Sequence, residues 1–215
     1  MTTVEKVPDG LRVGYLTNVY PAVSHSFIKR EILALEARGC EVHRWSIRPF
    51  ADSFPDPGDQ LEATRTEVIL AHPAAILVAV VLACVLTPLR AWKAARASLE
   101  GRTSGLGTMV RRLAHFAEAC YLSRATKRAG IEHLHAHFGT NPASVARLAH
   151  LLGGPPYSFT VHGPDEFDQP IVHNIAAKVS ESRFAAAISN FGKSQLMRWT
   201  DPRFWGQIDV VRCGL

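Results

Sequence analysis

The sequence has few cysteines and little charge, and each shortage excludes a class of protein. Its 215 residues include four cysteines, Cys40, Cys84, Cys120 and Cys213, which lie far apart and form no C-x-x-C or zinc-finger spacing. We therefore expect small buried thiols in a reducing compartment, not a disulfide scaffold or a zinc ribbon. With 47% hydrophobic and 20% charged residues, the composition excludes a disordered tail, a coiled coil and collagen.

Several targeting and catalytic motifs are also missing. The first ten residues lack the basic start and apolar run of a signal peptide, so we expect the chain to stay in the cytoplasm. There is no G-x-S-x-G nucleophile elbow and no G-x-x-x-x-G-K-[ST] phosphate loop, which disfavours the corresponding hydrolases and nucleotidases. The G-x-G at Gly105–Gly107 does not follow a predicted strand and is therefore not a dinucleotide fingerprint.

Short apolar segments alternate with amphipathic ones along most of the chain. The apolar segments predict six strands, at Leu11–Thr17, Val42–Ile47, Ile131–Phe138, Tyr157–His162, Phe184–Ser189 and Ile208–Arg212. Helices are predicted from about Ser24, a good N-cap, to Gly39, and at Asn141–Leu152, Ile171–Ser182 and Phe191–Trp199. This alternation predicts an α/β fold: one Rossmann-like domain, residues 1–215, with a doubly wound, mainly parallel sheet and helices on both faces.

The middle of the chain, about residues 68–130, predicts a helical insertion. Ala74–Trp92 is expected to form one apolar helix and Leu106–Ala129 an amphipathic one. The apolar run from Ile69 spans about 21 residues, but Pro73 and Pro88 leave only about 14 uninterrupted ones, too few for a membrane span. A buried helix and a helix lying on a membrane surface both fit this length.

The positive charge of the chain is concentrated directly after that apolar run. Between Leu89 and Gly130, nine Lys and Arg residues face two Glu, a net charge of +7 against +5 for the whole chain. An apolar run followed by a basic stretch is typical of a segment on an anionic lipid leaflet, so we expect residues 74–128 to dock on the inner face of the plasma membrane. Nucleic acid is disfavoured as a partner, because no recognition motif accompanies the charge.

Polar side chains follow several of the predicted strands. In a doubly wound sheet, ligands bind at the carboxyl ends of the strands, so these positions are the candidate binding residues. They are Asn18 and Tyr20, with Ser24 and His25 just beyond; His137 and Gly139; His162; and Ser189 and Asn190. Small polar and imidazole side chains of this kind suit a hydroxyl-rich ligand.

Three histidines alternate along one predicted strand. His133, His135 and His137 should share one face of it, and a His-x-His pair on a strand can bind zinc. The only carboxylate close in sequence, Glu132, should point to the opposite face, where it cannot support them. We therefore expect no metal and no cofactor.

His162 is the most distinctive of these positions. It ends an apolar strand and precedes Gly163-Pro164, a chain reversal that exposes the imidazole at the edge of the sheet. A ligand contact and a simple hydrogen bond to a loop carbonyl fit the pattern equally well. Asp165 could orient the ring or cap the turn that follows.

Five segments at these positions stand out together. They are Tyr20–Ile32 (YPAVSHSFIKREI), His135–Gly139 (HAHFG), Phe159–Phe167 (FTVHGPDEF), Ala187–Phe191 (AISNF) and Val211–Leu215 (VRCGL). In the same order they resemble the elements F-P-x-x-S-E-T-F-I-x-x-E-I, H-A-H-F-G, F-T-x-H-x-x-D-I-F, A-x-S-x-F and V-x-x-G-V/L. These elements belong to the retaining family 4 glycosyltransferases, particularly those of the colanic-acid and exopolysaccharide type. His25 and Ser26 depart from the first element, since they stand where the family has Glu and Thr.

The resemblance implies the acceptor-side half of a GT-B enzyme, which transfers a sugar from a nucleotide sugar to a lipid-linked or polysaccharide acceptor with retention. It implies that His162 contacts the transferred sugar, with Asp165 in support, and that no metal is needed. No two glutamates here lie eight positions apart, as the family's nucleotide-binding half requires. We expect that half to be absent from this chain, and the chain alone to be inactive.

Two other functions remain open. The same fold could serve as a non-catalytic, membrane-associated binding module, or as part of a sugar-nucleotide epimerase-like GT-B enzyme. The sequence names neither the donor sugar nor the acceptor.

Overall fold

Seven parallel strands form a single sheet in the computed structural model, which describes residues 10–50, 54–100 and 105–213. The strands are β1 (Arg12–Thr17), β2 (Glu41–Ser46), β3 (Thr66–Val68), β4 (His133–His137), β5 (Tyr157–Val161), β6 (Phe184–Ala187) and β7 (Ile208–Val210). Their order is β3-β2-β1-β4-β5-β6-β7, so the direction of winding reverses between β1 and β4. The predicted α/β, doubly wound parallel sheet is confirmed.

Nine helices connect or flank the strands in the described part of the chain. They are α1 (Ser26–Glu36), α2 (Pro57–Arg65), α3 (Pro73–Leu86), α4 (Pro88–Leu99), α5 (Leu106–Arg128), α6 (Asn141–Leu151), α7 (Asp165–Asp168), α8 (Ile175–Glu181) and α9 (Asn190–Trp199). Along β1, Val13 and Tyr15 belong to the buried cluster that contains α1, and Leu16 belongs to the larger cluster that contains α5, α6, α8 and α9. Because strand side chains alternate, these two clusters lie on opposite faces of the sheet.

Two elements near the N-terminal edge were missed by the sequence analysis. The strand β3 has only three residues and pairs with Arg44–Ser46 of β2 alone, which is too short for an alternating pattern to be visible. Helix α2 begins at the end of a proline- and aspartate-rich stretch, residues 49–58, where no helix was predicted. The Asp56 side chain accepts a hydrogen bond from the Gly58 amide (3.1 Å) and Pro57 occupies the first helical position, so the same residues begin a helix.

Two predicted helix starts were wrong. Helix α1 begins at Ser26, while Ser24 lies exposed in a short 3₁₀ turn, Val23–His25, and does not cap the helix. Helix α8 begins at Ile175, not Ile171, because Asn174 adopts a left-handed conformation with φ of 50°. A residue with this backbone conformation interrupts a right-handed helix.

The apolar segment forms two helices where the sequence predicted one. Thr87 has non-helical backbone angles (φ −137°, ψ 57°), and α3 and α4 are bent by 120° relative to each other. Pro88 explains the break, since proline disfavours helical geometry in the residue before it and supplies no amide hydrogen. Within the described residues, no individual helix is long and apolar enough to cross a membrane; only this bent pair passes by length and composition.

The cysteines were predicted to be buried, and the prediction is half right. Cys40 and Cys120 are buried, whereas Cys84 and Cys213 are exposed, and all four are free thiols. Cys84 is exposed because it lies on α3, whose apolar side chains mostly face outwards.

A buried ion pair joins α2 to the sheet. Glu62 and Arg44 are 2% and 5% exposed, and Arg44 Nε donates to Glu62 Oε2 at 2.9 Å. The Tyr20 hydroxyl donates to the same oxygen at 2.7 Å, and Arg44 also reaches Glu36 of α1 at 2.7 Å. This group fixes the loop after β1 against α1 and α2.

We expect Glu62→Ala to destabilise the protein by about 3 kcal/mol, because it leaves much of the buried Arg44 charge and the Tyr20 hydroxyl uncompensated. Urea unfolding measures the difference. The matched control is Glu41→Ala, which removes a solvent-exposed ion pair with Arg12 and should cost at most about 1 kcal/mol. Equal losses in the two variants would show that the buried pair contributes nothing special.

Candidate functional site

Five ring side chains meet at the carboxyl ends of β1, β4 and β5, and we call them the ring cluster. They are His25, Phe27, His137, Phe138 and His162. The ring of His162 lies 4.8 Å, between centroids, from both Phe27 and Phe138, and 5.2 Å from His137. His25 lies 5.4 Å from Phe138. The cluster therefore occupies the switch point of the sheet, where ligands bind in doubly wound folds.

His162 is held in a defined orientation within the ring cluster. Its Nε2 lies 3.0 Å from Nδ1 of His137, and its Nδ1 has no hydrogen bond to any residue that the structure describes. Burial, reinforced by the nearby His25, lowers the pKa of His162 to about 4. At neutral pH the ring is therefore an uncharged imidazole with one nitrogen available, which suits a hydroxyl group better than it suits an anion.

His137 lies beneath His162 and is completely buried. Its Nδ1 contacts His162, while its Nε2 has no hydrogen-bond partner and lies 3.7 Å from Oε2 of Glu31. Burial holds the pKa of His137 well below its usual range. The ring is therefore neutral at physiological pH, and its contact with Nε2 of His162 fixes the orientation of that ring.

The backbone at the end of β4 is strained. Phe138 has φ of 75°, a left-handed conformation that is costly for a bulky side chain, and its amide donates to the Thr160 carbonyl at 2.9 Å. This turn places the phenyl ring between His25 and His162. Strain of this kind persists where the surroundings enforce it and is concentrated at functional sites.

A buried carboxylate ties the ends of β4 and β5 together. Glu166, 2% exposed, accepts hydrogen bonds from the backbone amides of His162 (2.5 Å), Gly163 (3.0 Å) and Gly139. On the other side of the same loop, Lys178 Nζ donates to the carbonyls of Gly139 (2.6 Å) and Thr140 (2.8 Å). Burial raises the pKa of Glu166 and lowers that of Lys178 to about 7. Together these two residues fix the backbone that carries the ring cluster.

The remaining candidates around β1 have different environments. Tyr20 is 2% exposed and its hydroxyl is bound by Glu62, so it supports the loop from inside the fold. His25 is anchored by a 3.0 Å contact between its Nδ1 and the Val19 carbonyl, and Ser24 beside it is exposed. Asn18 is half-buried and its Oδ1 is buried without a hydrogen-bond partner.

The candidates after β6 do not join the ring cluster through any hydrogen bond or ring contact among the described residues. Ser189 caps α9, since its hydroxyl accepts the Gly192 amide at 3.1 Å, and Asn190 is exposed in the first turn of that helix. The Asp165 side chain lies outside the described part of the structure, as do Arg102, Gly214 and Leu215. The roles predicted for these residues stay predictions.

The sequence analysis missed the residues that support His162. Phe27 and Glu31 were not among the candidates, although positions i and i+4 share a helix face. Glu166 directly follows Asp165, which was chosen instead. One feature of the sequence pointed to Lys178: it is a single charged residue between the apolar residues Ile175 and Val179, which are buried.

An open cavity of about 720 Å³ adjoins the ring cluster on the face of the sheet that carries α1. Its walls include His133, His135 and His162 together with the hydroxyls of Ser158 and Thr160. His133 and His135 pair with Val13 and Tyr15 across β1 and β4, so the alternating histidines share one face, as predicted. This cavity is large enough for a sugar-sized ligand.

We expect Glu166→Gln to loosen the ends of β4 and β5, because a neutral amide cannot accept hydrogen bonds on both of its terminal atoms. Amide hydrogen exchange at Gly139, His162 and Gly163 should become faster, and stability should fall by about 1–3 kcal/mol. Glu132→Gln is the control, since Glu132 is exposed and, among the described residues, accepts a hydrogen bond from the Arg12 amide alone. Unchanged protection of all three amides in Glu166→Gln would contradict the assigned role.

Comparison with known proteins supplies no family for this chain. No family model matches the sequence, and no curated protein matches it significantly. The resemblance to family 4 glycosyltransferases therefore rests on the quoted segments, and the function has to be argued from the site and the surface of this structure.

Proposed function

We propose that this chain is the acceptor-side half of a retaining glycosyltransferase that extends a lipid-linked or polysaccharide sugar at a membrane. The observation that carries the proposal is the state of His162. It is a neutral imidazole whose Nδ1 has no hydrogen bond to the described residues, and it is flanked by two phenyl rings at the switch point of a parallel sheet. Aromatic rings offer apolar faces to the C–H surface of a sugar, and the imidazole offers a hydrogen bond to a hydroxyl.

In the proposed reaction the acceptor hydroxyl oxygen forms a bond to the anomeric carbon of a nucleotide sugar. The bond from that carbon to the diphosphate breaks, the leaving oxygen takes the electron pair, and it accepts the hydroxyl proton. His162 contributes a positioned hydrogen bond to the transferred sugar. Because Glu166 and His137 hold the ring before the ligand arrives, little reorganisation is needed in the transition state.

Membrane attachment is the second part of the proposal, and it rests on what we call the α3–α4 surface. Of the 14 residues of α3, only Ala79 is buried, so the buried-helix interpretation of this segment is wrong. Ile76, Val80 and Ala83 are partly buried against the core, but many of the other apolar side chains face outwards, with Leu77 66% and Val85 69% exposed. The α3–α4 surface comprises the exposed side chains of Leu77, Val78, Val81, Val85, Leu86, Leu89, Arg90, Trp92, Lys93 and Arg96.

Helix α4 gives this surface the features of an interfacial helix. It buries Ala91, Ala94 and Ala97, and exposes Trp92 (71%) among basic residues. An exposed tryptophan and exposed aliphatic residues beside Arg and Lys complement the acyl boundary and the anionic headgroups of a bilayer. We therefore propose an anionic lipid surface as the occupant.

The proposed surface is smaller than the stretch 74–128 expected from the sequence. The second half of α5 buries Phe116, Cys120 and Leu122 against the rest of the fold. Its basic residues Arg124 and Arg128 belong to the opposite end of a helix about 35 Å long from the exposed Leu106 and Met109. The α3–α4 surface therefore leaves out most of α5, although Lys127 near the end of α5 lies close to Arg90 of α4 at Gly153.

We expect His162→Ala to weaken binding of methyl α-glucoside, a mimic of the transferred sugar, by about three- to tenfold, the value of one hydrogen bond. NMR titration of the aromatic and imidazole signals of the ring cluster measures it. His150→Ala is the matched control, because that half-buried histidine contacts the Pro155 carbonyl, just before the amino-terminal end of β5 and away from the ring cluster. Wild-type affinity in His162→Ala would contradict the proposed sugar contact.

We expect the protein to co-sediment with vesicles of phosphatidylglycerol and phosphatidylcholine, and to be released as salt rises, because salt screens the attraction of basic residues. Arg96→Gln should weaken binding about fivefold, since one basic residue near an anionic surface contributes about 1 kcal/mol. Arg38→Gln should change little, since Arg38 is an exposed basic residue just after α1, on the opposite face of the sheet.

A second pair of variants tests the contact between the apolar side chains of the α3–α4 surface and the lipid. Val81→Asp places a charge on the α3–α4 surface and should reduce sedimentation at every salt concentration, whereas Val211→Asp alters an exposed valine elsewhere. Equal effects of the two substitutions would contradict lipid docking. Self-association in the absence of vesicles, suppressed by Val81→Asp, would show that a second copy of the chain covers this surface instead.

A further inference from the structure

Three side chains with metal-ligating atoms meet next to His162, and one of them, His137, also belongs to the ring cluster. Glu31 comes from α1, and His135 and His137 come from β4. One ligand atom of each lies within 4.8 Å of the other two, and Oε2 of Glu31 is 3.7 Å from Nε2 of His137. The sequence argued against a metal because the nearest carboxylate in the chain, Glu132, faces away; the fold brings a different carboxylate to the histidines.

The orphaned nitrogen of His137 points to a missing ligand. The side chain is completely buried, its Nδ1 is engaged by His162, and its Nε2 has no hydrogen-bond partner. A buried polar atom without a partner costs free energy, and native proteins almost always satisfy such groups. A cation held between this nitrogen and Glu31 would satisfy it.

Each candidate ligand is already held by a second polar group. The Tyr15 hydroxyl donates to Oε1 of Glu31 at 2.6 Å, the Ser158 hydroxyl contacts Nδ1 of His135 at 2.7 Å, and His162 contacts Nδ1 of His137 at 3.0 Å. Histidines that bind metals typically use their second ring nitrogen in this way, which fixes the orientation of the ring.

We propose that Glu31, His135 and His137 bind a divalent transition-metal ion of the zinc type, with the remaining coordination position open to the 720 Å³ cavity. Two imidazoles and one carboxylate form a common zinc ligand set.

The observed distances require only local adjustment. Ligand atoms around tetrahedral zinc lie about 3.4 Å apart, and the Glu31–His137 pair is close to that value. The Glu31 side chain is 44% exposed and can move towards the ion. His135 contacts Ser158 through Nδ1 and Thr160 through Nε2, so it exchanges one hydroxyl contact for the metal and keeps the other.

The metal would also set the proton position on His162. With the ion on Nε2, the neutral ring of His137 carries its proton on Nδ1 and donates to Nε2 of His162. His162 then carries its own proton on Nδ1 and presents a donor to the ligand. The metal site does not depend on the proposal of sugar transfer. With the metal bound, His162 would donate from Nδ1, so a sugar would bind it through a hydroxyl oxygen that accepts this hydrogen bond.

Cobalt binding tests the site directly. We expect the whole chain, stripped of metals with a chelator, to bind one equivalent of Co²⁺ with the visible absorption of a four-coordinate ion, and Zn²⁺ to displace it. Glu31→Gln and His137→Ala should each lower the affinity at least about tenfold. His72→Ala should have no effect, since His72 is exposed and stacks on Tyr121 away from the cluster.

The outcomes separate the proposal from a folding defect. Glu31→Gln keeps an acceptor for the Tyr15 hydroxyl, so it should remain folded even if His137→Ala does not. ¹⁵N NMR of the imidazoles adds a second readout: with Zn²⁺ bound, His137 and His162 should both carry the proton on Nδ1. Unchanged cobalt affinity in Glu31→Gln, or a proton remaining on Nε2 of His137, would overturn the site. Sugar binding plays no part in these readouts.

Discussion

The carboxylate of Glu166 is the interaction on which the candidate site depends. It is buried, and it accepts backbone amides from the ends of two neighbouring strands, Gly139 after β4 and His162 after β5. Lys178 binds the carbonyls of the same β4 loop from the other side. Loop backbone at the carboxyl edge of a sheet is normally mobile. Here Glu166 binds the amide groups of this backbone and Lys178 binds its carbonyl groups. The rings of His137, Phe138 and His162, which this backbone carries, are therefore held in place.

Burial then determines the chemistry of those rings. His135, His137 and His162 lie close together, and desolvation lowers the pKa of all three, so the group is neutral instead of mutually repulsive at physiological pH. Neutral imidazoles can accept as well as donate hydrogen bonds, and they can ligate metals. The sugar contact proposed for His162 and the metal site proposed beneath it therefore share one physical cause.

The outer helices present a different physical situation. An α-helix as apolar as α3 would ordinarily be buried, yet only one of its 14 residues is. Pro88 turns the chain back after α3, so α3 and α4 pack side by side against α5 and leave their outer faces uncovered. The proposed lipid surface and the ring cluster are thus built on one sheet.

The local sequence pattern was enough to predict much of this fold. Side-chain periodicity and short connections predict six of the seven strands and their parallel arrangement. They also predict that His133, His135 and His137 share one face. The positions of His137 and His162 at strand ends follow for the same reason. Contacts between segments distant in the chain could not be predicted this way. Glu31 reaches His137, Glu166 reaches Gly139 and Lys178 reaches Thr140 only because the sheet brings β1, β4 and β5 together. Whether an apolar helix is buried or exposed was likewise decided by tertiary packing, since its sequence is apolar on every side.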